Sequence, residues 1–243
     1  MRYLVISDIH SNAPALEAVL RDAPSYDRIL CLGDIVGYGP NPNECISRLR
    51  SLDAVVIAGN HDWGSVGLAD QAMFNHDARQ ALRWTQRELT QGHRAYLREL
   101  GTQLRLMDTV ILAHGSPRDP VWEYLVSPGV AAQIFRDYEF ALLLVGHSHI
   151  PLVFDWLETE QSVDVKRPGI GQQLRLDKRR LILNPGSVGQ PRDGNPMASY
   201  AVMDMEAGTW VFHRVAYPVE ITQERMRAAG LPPRLIERLS YGQ

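Results

Sequence analysis

The sequence predicts an α/β fold of two facing mixed β-sheets flanked by helices, and three observations carry that prediction. Apolar runs and helical stretches alternate up to residue 58 in the order β-α-β-α-β, the pattern of a largely parallel sheet with helices packed on it. After Pro151 the texture changes to short strands and turns, which reads as a second, more antiparallel sheet facing the first. Five of the apolar runs close in polar clusters built from Asp, Asn and His, so the strand ends share a chemistry as well as a position.

The first strand, residues 3–6, ends in Ser7-Asp8-Ile9-His10, and strand alternation carried through this junction points Asp8 and His10 to one side. Asn12 then caps a helix reaching about Ala23, with Ala15, Leu16, Val19 and Leu20 at helical spacing. Residues 28–32 form the second strand, closing in Gly33-Asp34. Asn41 and Pro42 open the next helix as cap and first helical residue. Residues 54–58 form the third strand, closing in Gly59-Asn60-His61-Asp62. From about 63 to 103 a helical insertion follows, carrying Phe74, Ala78, Leu82, Leu89 and Leu97; it either lies over the site as a lid or packs on a sheet edge. His76 and His93 lie in it and read as surface histidines.

Residues 109–112 lead to His114, and residues 140–145 lead to Gly146-His147-Ser148-His149. Between them Ser127-Pro128 opens a helix running to about Tyr138. Strands follow at 152–156, 172–176, 181–183, 200–203 and 210–215, the last two joined as a hairpin by Glu206-Ala207-Gly208. The tail from 222 to 239 is helical with a break at 230–233, and packing or oligomer contact is the role assigned to it. With no repeat, linker or low-complexity segment, residues 1–243 read as one domain.

At 243 residues, 45% of them hydrophobic and 22% charged, the chain has the length and composition to bury a large core. A net charge of -3 disfavours a surface that coats nucleic acid. The densest basic run, Lys178-Arg179-Arg180, reads as a solvated turn. Cys31 and Cys45 are too few and too poorly spaced for a disulfide framework or a thiolate metal site, and read as small buried residues. The first residues lack a signal-peptide pattern and no apolar run approaches the ~18 residues of a membrane span. A cytoplasmic location without membrane contact is the expectation.

In α/β sheets ligands sit beyond the carboxyl ends of the strands, so the five clusters converge. Together they hold Asp8, His10, Asp34, Asn60, His114, His147 and His149: two carboxylates, one amide and four imidazoles. That set is too large for one tetrahedral zinc and too rich in nitrogen for calcium or magnesium. It suits two borderline divalent transition ions of the Mn, Fe, Zn, Co or Ni type, with Mn favoured.

These blocks, Asp8-x-His10, Gly33-Asp34-x-x-Gly37, Gly59-Asn60-His61-Asp62, His114 and Gly146-His147-x-His149, resemble the signature of the calcineurin-like metallophosphoesterases. The likeness extends into residues 184–192 and is greatest to the small bacterial and archaeal phosphoesterases of the YfcE type. It implies a four-layer α/β/β/α sandwich. It also implies one metal held by Asp8, His10, Asp34 and His149 and another by Asp34, Asn60, His114 and His147, with Asp34 as the bridge. The activity implied is hydrolysis of phosphomonoesters or phosphodiesters of small molecules such as nucleotides, by attack of a metal-bridging hydroxide. Asn60 and His61 would contact substrate, and His61 would touch a phosphate oxygen or protonate the leaving group, or else only support its neighbours. A homodimer or homotetramer is also implied.

Protein Ser/Thr phosphatases of this superfamily resemble G-D-x-x-D-R-G in the second block. Here Gly37-Tyr38-Gly39 follows Asp34-Ile35-Val36, so that Asp and Arg are absent and a protein phosphatase is disfavoured. Arg118 or Arg192, each just beyond a block, is the substitute phosphate contact, against an ordinary surface salt bridge. Residues 184–189 resemble a family loop near the metals, although their Gly and Pro also suit a tight turn. The competing reading is a non-catalytic metal-binding scaffold or protein-interaction module on the same fold. Retention of all seven ligand positions favours the hydrolase. A nuclease is weakened by the negative charge, and the H-x-H-x-D-H run of metallo-β-lactamase-type hydrolases does not occur.

Overall fold

The structure, a computed structural model, describes residues 1–177 and 179–243. The chain runs β1 (Arg2–Ile6), α1 (Ala13–Asp22), β2 (Arg28–Cys31), α2 (Pro42–Ser51) and β3 (Val55–Val56), then α3 (Asn60–Ser65), α4 (His76–Glu88) and α5 (Gln91–Glu99). Next come β4 (Gln103–Met107), β5 (Val110–Ala113), α6 (Pro128–Asp137), β6 (Leu142–Leu144), β7 (Pro151–Leu157), β8 (Ser162–Lys166) and β9 (Gln173–Arg175). β10 (Leu181–Pro185), β11 (Ala198–Asp204), β12 (Thr209–Val215), α7 (Val219–Ala228) and α8 (Pro233–Glu237) complete it. None of these helices is long and apolar enough to cross a membrane.

The strands form two six-stranded mixed sheets, in the orders β3-β2-β1-β11-β12-β9 and β4-β5-β6-β10-β7-β8. β1, β2 and β3 are parallel in the first, and β5, β6 and β10 are parallel in the second. Period-two alternation explains why they stack. Leu4, Ile6, Ile29 and Cys31 face one core with α1 and α2, whereas Tyr3, Val5, Leu30 and Leu32 face Leu112, Leu144 and Leu183 of the other sheet. The second sheet turns Ile111, Leu143 and Ile182 outward onto Ile134 and Phe135 of α6. Strands buried on both faces read as unbroken apolar runs, which is how these looked in the sequence.

One expectation fails. The strands after Pro151 do not make up a sheet of their own: β9, β11 and β12 extend the first sheet and β7, β8 and β10 extend the second. Buried β1 needs a ladder partner on each edge; β2 supplies one, and β11, antiparallel with Leu4 opposite Val202, supplies the other. β4 and β8 escaped the sequence reading because their residues are mostly exposed or half-buried and lack a continuous apolar run.

The caps follow local chemistry. Asn12 Oδ1 accepts from Ala15 N at 3.2 Å, and Ser127 Oγ from Val130 N at 3.3 Å. Asn41 departs from expectation: its amide donates to Glu44 Oε1 at 3.2 Å and caps nothing. Arg179 and Arg180 of the basic run are also engaged rather than solvated. Arg179 pairs with Asp155, and Arg180 donates to the carbonyls of Phe135, Tyr138 and Phe140 at 2.7, 2.8 and 3.2 Å, closing the end of α6; Lys178 lies outside the described residues. Cys31 and Cys45 are free and buried.

Candidate metal centre

The strand ends of both sheets meet at one buried cluster, reached by a backbone device the sequence does not announce. β1 stops at Ile6, and Asp8 and His10 have φ of 53° and 48°, in the left-handed region; Asp34, His147 and His149 do the same at 53°, 61° and 59°. The side chains therefore converge through turns rather than through strand alternation, which corrects the reason given for Asp8 and His10. Left-handed residues cost about 1–2 kcal/mol each, with Asp and similar short polar residues at the cheaper end. Bonds between the loops hold them there: Asp8 N to Gly33 O and His10 N to Asp34 O, both 3.0 Å. The loop after β10 straps the same turns, Ser187 Oγ and Gly189 N both donating to Asp8 O at 2.8 and 3.0 Å.

Each carboxylate uses one oxygen for anchoring and leaves the other bare. Asp8 Oδ2 accepts from His147 N at 3.1 Å and Asp34 Oδ1 from His61 N at 2.8 Å, while Asp8 Oδ1 and Asp34 Oδ2 are buried with no hydrogen-bond partner. Gly59 makes the second anchor possible, because a Cβ there would collide with Asp34 Oδ1.

The imidazoles are oriented in the same way. Nδ1 of His10, His114 and His149 lies 3.1, 2.8 and 2.6 Å from the carbonyls of Val36, Leu32 and Gln190. A carbonyl only accepts, so each Nδ1 carries the proton, and a neutral ring then presents its Nε2 lone pair inward. Nε2 of His10 and Nε2 of His149 face each other at 3.1 Å. Two lone pairs at that distance repel unless a cation lies between them and the bare carboxylate oxygens.

Ligand atoms of Asp8, His10, Asp34 and His149 all lie within 4.8 Å of one another, as do those of Asp34, His114 and His147, and either group could hold a metal ion. Asp34 belongs to both: its bare Oδ2 is 3.5 Å from His10 Nε2 and 3.4 Å from His114 Nε2. His147 Nε2 is buried without a partner, and Asn60 Oδ1 lies 3.3 Å from His114 Nε2. All seven predicted ligand residues are thus brought together. The donor set, oxygen and imidazole nitrogen with backbone-bonded rings, fits borderline divalent ions.

Burial governs ionisation here. It pushes the Asp8 carboxyl up to about 7, His61 down to about 4 and His147 down to about 3, and it holds His10 and His149 well below the usual imidazole value. Burial also opposes charge on Asp34, but the imidazoles of His114, His61 and His10 hold that carboxyl below the usual range. His114 is the counterpart: against burial, the Asp34 carboxylate pushes its imidazole up to about 9. Without a cation, a proton on His114 does part of the neutralising.

Asp62, quoted in the third block without a role, is a buried brace. Its carboxylate accepts from Val36 N at 3.1 Å and Gly59 N at 2.9 Å, tying the second block to the third. The predicted site residues His61 and Asn60 line a cavity of about 200 Å³ over the ligands, with Tyr38, Phe74, Trp122, Tyr124 and Arg192. Arg118 does not: it is exposed, and Glu123 binds it while also accepting from Ser116. Arg192, the other arginine weighed from the sequence, occupies the cavity wall. The helical insertion both packs and borders the cavity, with Met73, Phe74, Asn75 and Ala78 on its wall.

The profile of the calcineurin-like phosphoesterase superfamily domain matches residues 1–208. The chain belongs to that superfamily. A metallophosphoesterase of Sphaerobacter thermophilus, solved as a crystal structure, is 44% identical, with 100% of this chain and 99% of that one covered and a TM-score of 0.91. An uncharacterized protein of Methanocaldococcus jannaschii is 38% identical over 98% of this chain and 97% of its own length. A hypothetical protein of Pyrococcus horikoshii, 24% identical over 100% and 98% of the two chains with a TM-score of 0.79, shares the fold. The likeness to the Sphaerobacter protein runs past the profile's limit and takes in α7 and α8.

Proposed function

We propose that this protein hydrolyses phosphoric esters, monoesters or diesters of small molecules such as nucleotides, using two divalent transition ions that share Asp34. The observation that carries the reading is the pair of bare Nε2 atoms of His10 and His149, 3.1 Å apart beside the unpartnered oxygens of Asp8 and Asp34. Asp8, His10, Asp34 and His149 would hold one ion, and Asp34, Asn60, His114 and His147 the other. Bound there, the ions supply Lewis acidity: they neutralise phosphate charge and acidify water at neutral pH.

The chain's own groups do the rest. His61, with an unpartnered buried Nδ1, stands between Tyr38 and Phe74 at ring distances of 4.3 and 4.9 Å, which fixes the plane in which it meets a phosphate oxygen. With burial holding its pKa at about 4, it enters neutral at pH 7 and binds as an N–H donor. A phosphate dianion beside it favours the imidazolium, so proton donation to the leaving oxygen follows substrate binding rather than preceding it. Arg192 supplies positive charge on the cavity wall, its guanidinium 5.8 Å over the Tyr38 ring that packs on His61. Phe74 and Trp122, edge to face at 5.0 Å, give the cavity an apolar wall.

The test is hydrolysis of p-nitrophenyl phosphate and bis-p-nitrophenyl phosphate by metal-stripped protein, with Mn, Zn, Fe, Co, Ni or Mg restored singly and His147→Ala as control. Turnover that needs metal and is lost in His147→Ala supports the hydrolase. Full activity in the stripped protein or in the variant overturns it.

A further inference from the structure

The cavity over the ligands is not closed outward. Tyr38, Asn75, Tyr124 and Arg192 line it and also line a second cavity of about 660 Å³, so the two adjoin. The outer volume lies in the range of sites that hold organic ligands, whereas about 200 Å³ suffices for little beyond the reacting phosphoryl group. What fills the outer cavity is therefore joined to that group.

Its walls have a definite chemistry. Arg192, Arg234 and Arg238 all face it, against the two carboxylates of Asp77 and Glu237, and Asp77 is engaged by His76 at 3.3 Å. Among the described residues neither Arg192 nor Arg234 forms an ion pair within 4.0 Å, whereas Arg238 Nε donates to the backbone oxygen of Gln243 on the same wall. Arg192 Nη2 donates to Gln190 Oε1 at 2.9 Å, and its buried Nε has no partner at all. An unpartnered buried guanidinium nitrogen at the junction of two cavities points to a ligand acceptor. The guanidinium of Arg238 is pushed down to about 10 by burial and by Arg192, while Arg234 adds to the excess of positive charge. Tyr124, stacked on His147 at 4.0 Å and half exposed, gives the same cleft a flat wall.

We infer that the outer cleft is a leaving-group subsite for a second phosphate, so that the preferred substrates are small phosphoesters carrying another phosphate beyond the scissile one, as phosphorylated nucleotides do. The inference rests on the hydrolase reading above. It also gives the tail a role beyond packing or oligomer contact, since α8 and the turn after it bring Arg234 and Arg238 to the site.

Arg234 is exposed, so Arg234→Gln leaves the core untouched, and Arg234→Glu tests the sign of the charge. Two readouts are needed. Calorimetry on metal-free protein gives the affinity for adenosine 3′,5′-bisphosphate against adenosine 5′-monophosphate. Kinetics on metal-loaded protein gives the ratio of kcat/KM for the bisphosphate over p-nitrophenyl phosphate, with Arg118→Gln as the control outside both cavities. The expected result is a bisphosphate preference that falls about tenfold in Arg234→Gln and further in Arg234→Glu, mainly through KM, with Arg118→Gln like wild type. Preferences equal in wild type and both Arg234 variants overturn the subsite even if p-nitrophenyl phosphate is turned over. Arg234-dependent binding without turnover of any probe upholds phosphate binding in the outer cleft but overturns the hydrolase, and with it the leaving-group role.

Discussion

The sharing of Asp34 can be dissected by metal-dependent thermal stability. Its Oδ2 is almost equidistant from His10 Nε2 and His114 Nε2, at 3.5 and 3.4 Å, so its charge serves both ligand groups. Asp34→Asn keeps the acceptor for His61 N and removes that charge, whereas His10→Ala and His147→Ala each delete a ligand of one group only. A ligand at a hundred times its dissociation constant stabilises a folded protein by about 2.7 kcal/mol per site. For a chain of this size that is a rise of roughly 5–11 °C per site. Scanning calorimetry with and without Mn should then give two increments in wild type, one in His10→Ala, one in His147→Ala and none in Asp34→Asn. An Asp34→Asn protein that retains an increment refutes the shared carboxylate. So does loss of the whole shift in both histidine variants, which would describe one site rather than two.

Metal affinity should rise with pH. A protonated Asp8, pushed up to about 7, and a protonated His114, pushed up to about 9, must each lose a proton to ligate, so lowering the pH through these values weakens binding by about tenfold per unit for each proton displaced. The gain should be steepest below about 7 and level off above about 9; titration calorimetry from pH 6 to 9.5 that shows constant affinity contradicts this. Asp62→Ala, which strands two buried N–H groups, should lose about 2–4 kcal/mol in urea unfolding, and Asp62→Asn less, because one acceptor remains. His61→Ala should keep both metal increments while kcat falls by about 10²–10⁴. A loss confined to the metal increments would instead make His61 a support for the ligand loops.

Much of this was legible in the sequence because burial on both faces gives a strand an unbroken apolar run, and each such run ended in ligand-type residues. The parallel strands β1 to β3 and the seven-residue constellation followed from that, whereas the parallel pairing of β10 with β6 did not. What was not legible depended on long-range pairing. Which sheet β11 joins is decided by the free edge of β1, nearly 200 residues away in sequence, and no local pattern encodes it. Edge strands β4 and β8 carry too little apolar signal. The convergence of Asp8 with His10 was anticipated for the wrong reason, since the left-handed turns that aim them show only as short polar residues between apolar runs. Arg118 and Arg192 were equivalent in sequence, each just beyond a block. Only the fold shows that Glu123 takes the first and the cavity takes the second. Arg234 and Arg238 gave no signal at all, being two arginines in a helical tail.

Anomalous diffraction from crystals of the Mn-loaded protein tests the central claim most directly. Two Mn peaks in the buried cluster with Asp34 between them, one beside His10 and His149 and the other beside His114 and His147, are the predicted result. A single peak, or peaks away from these residues, would contradict it.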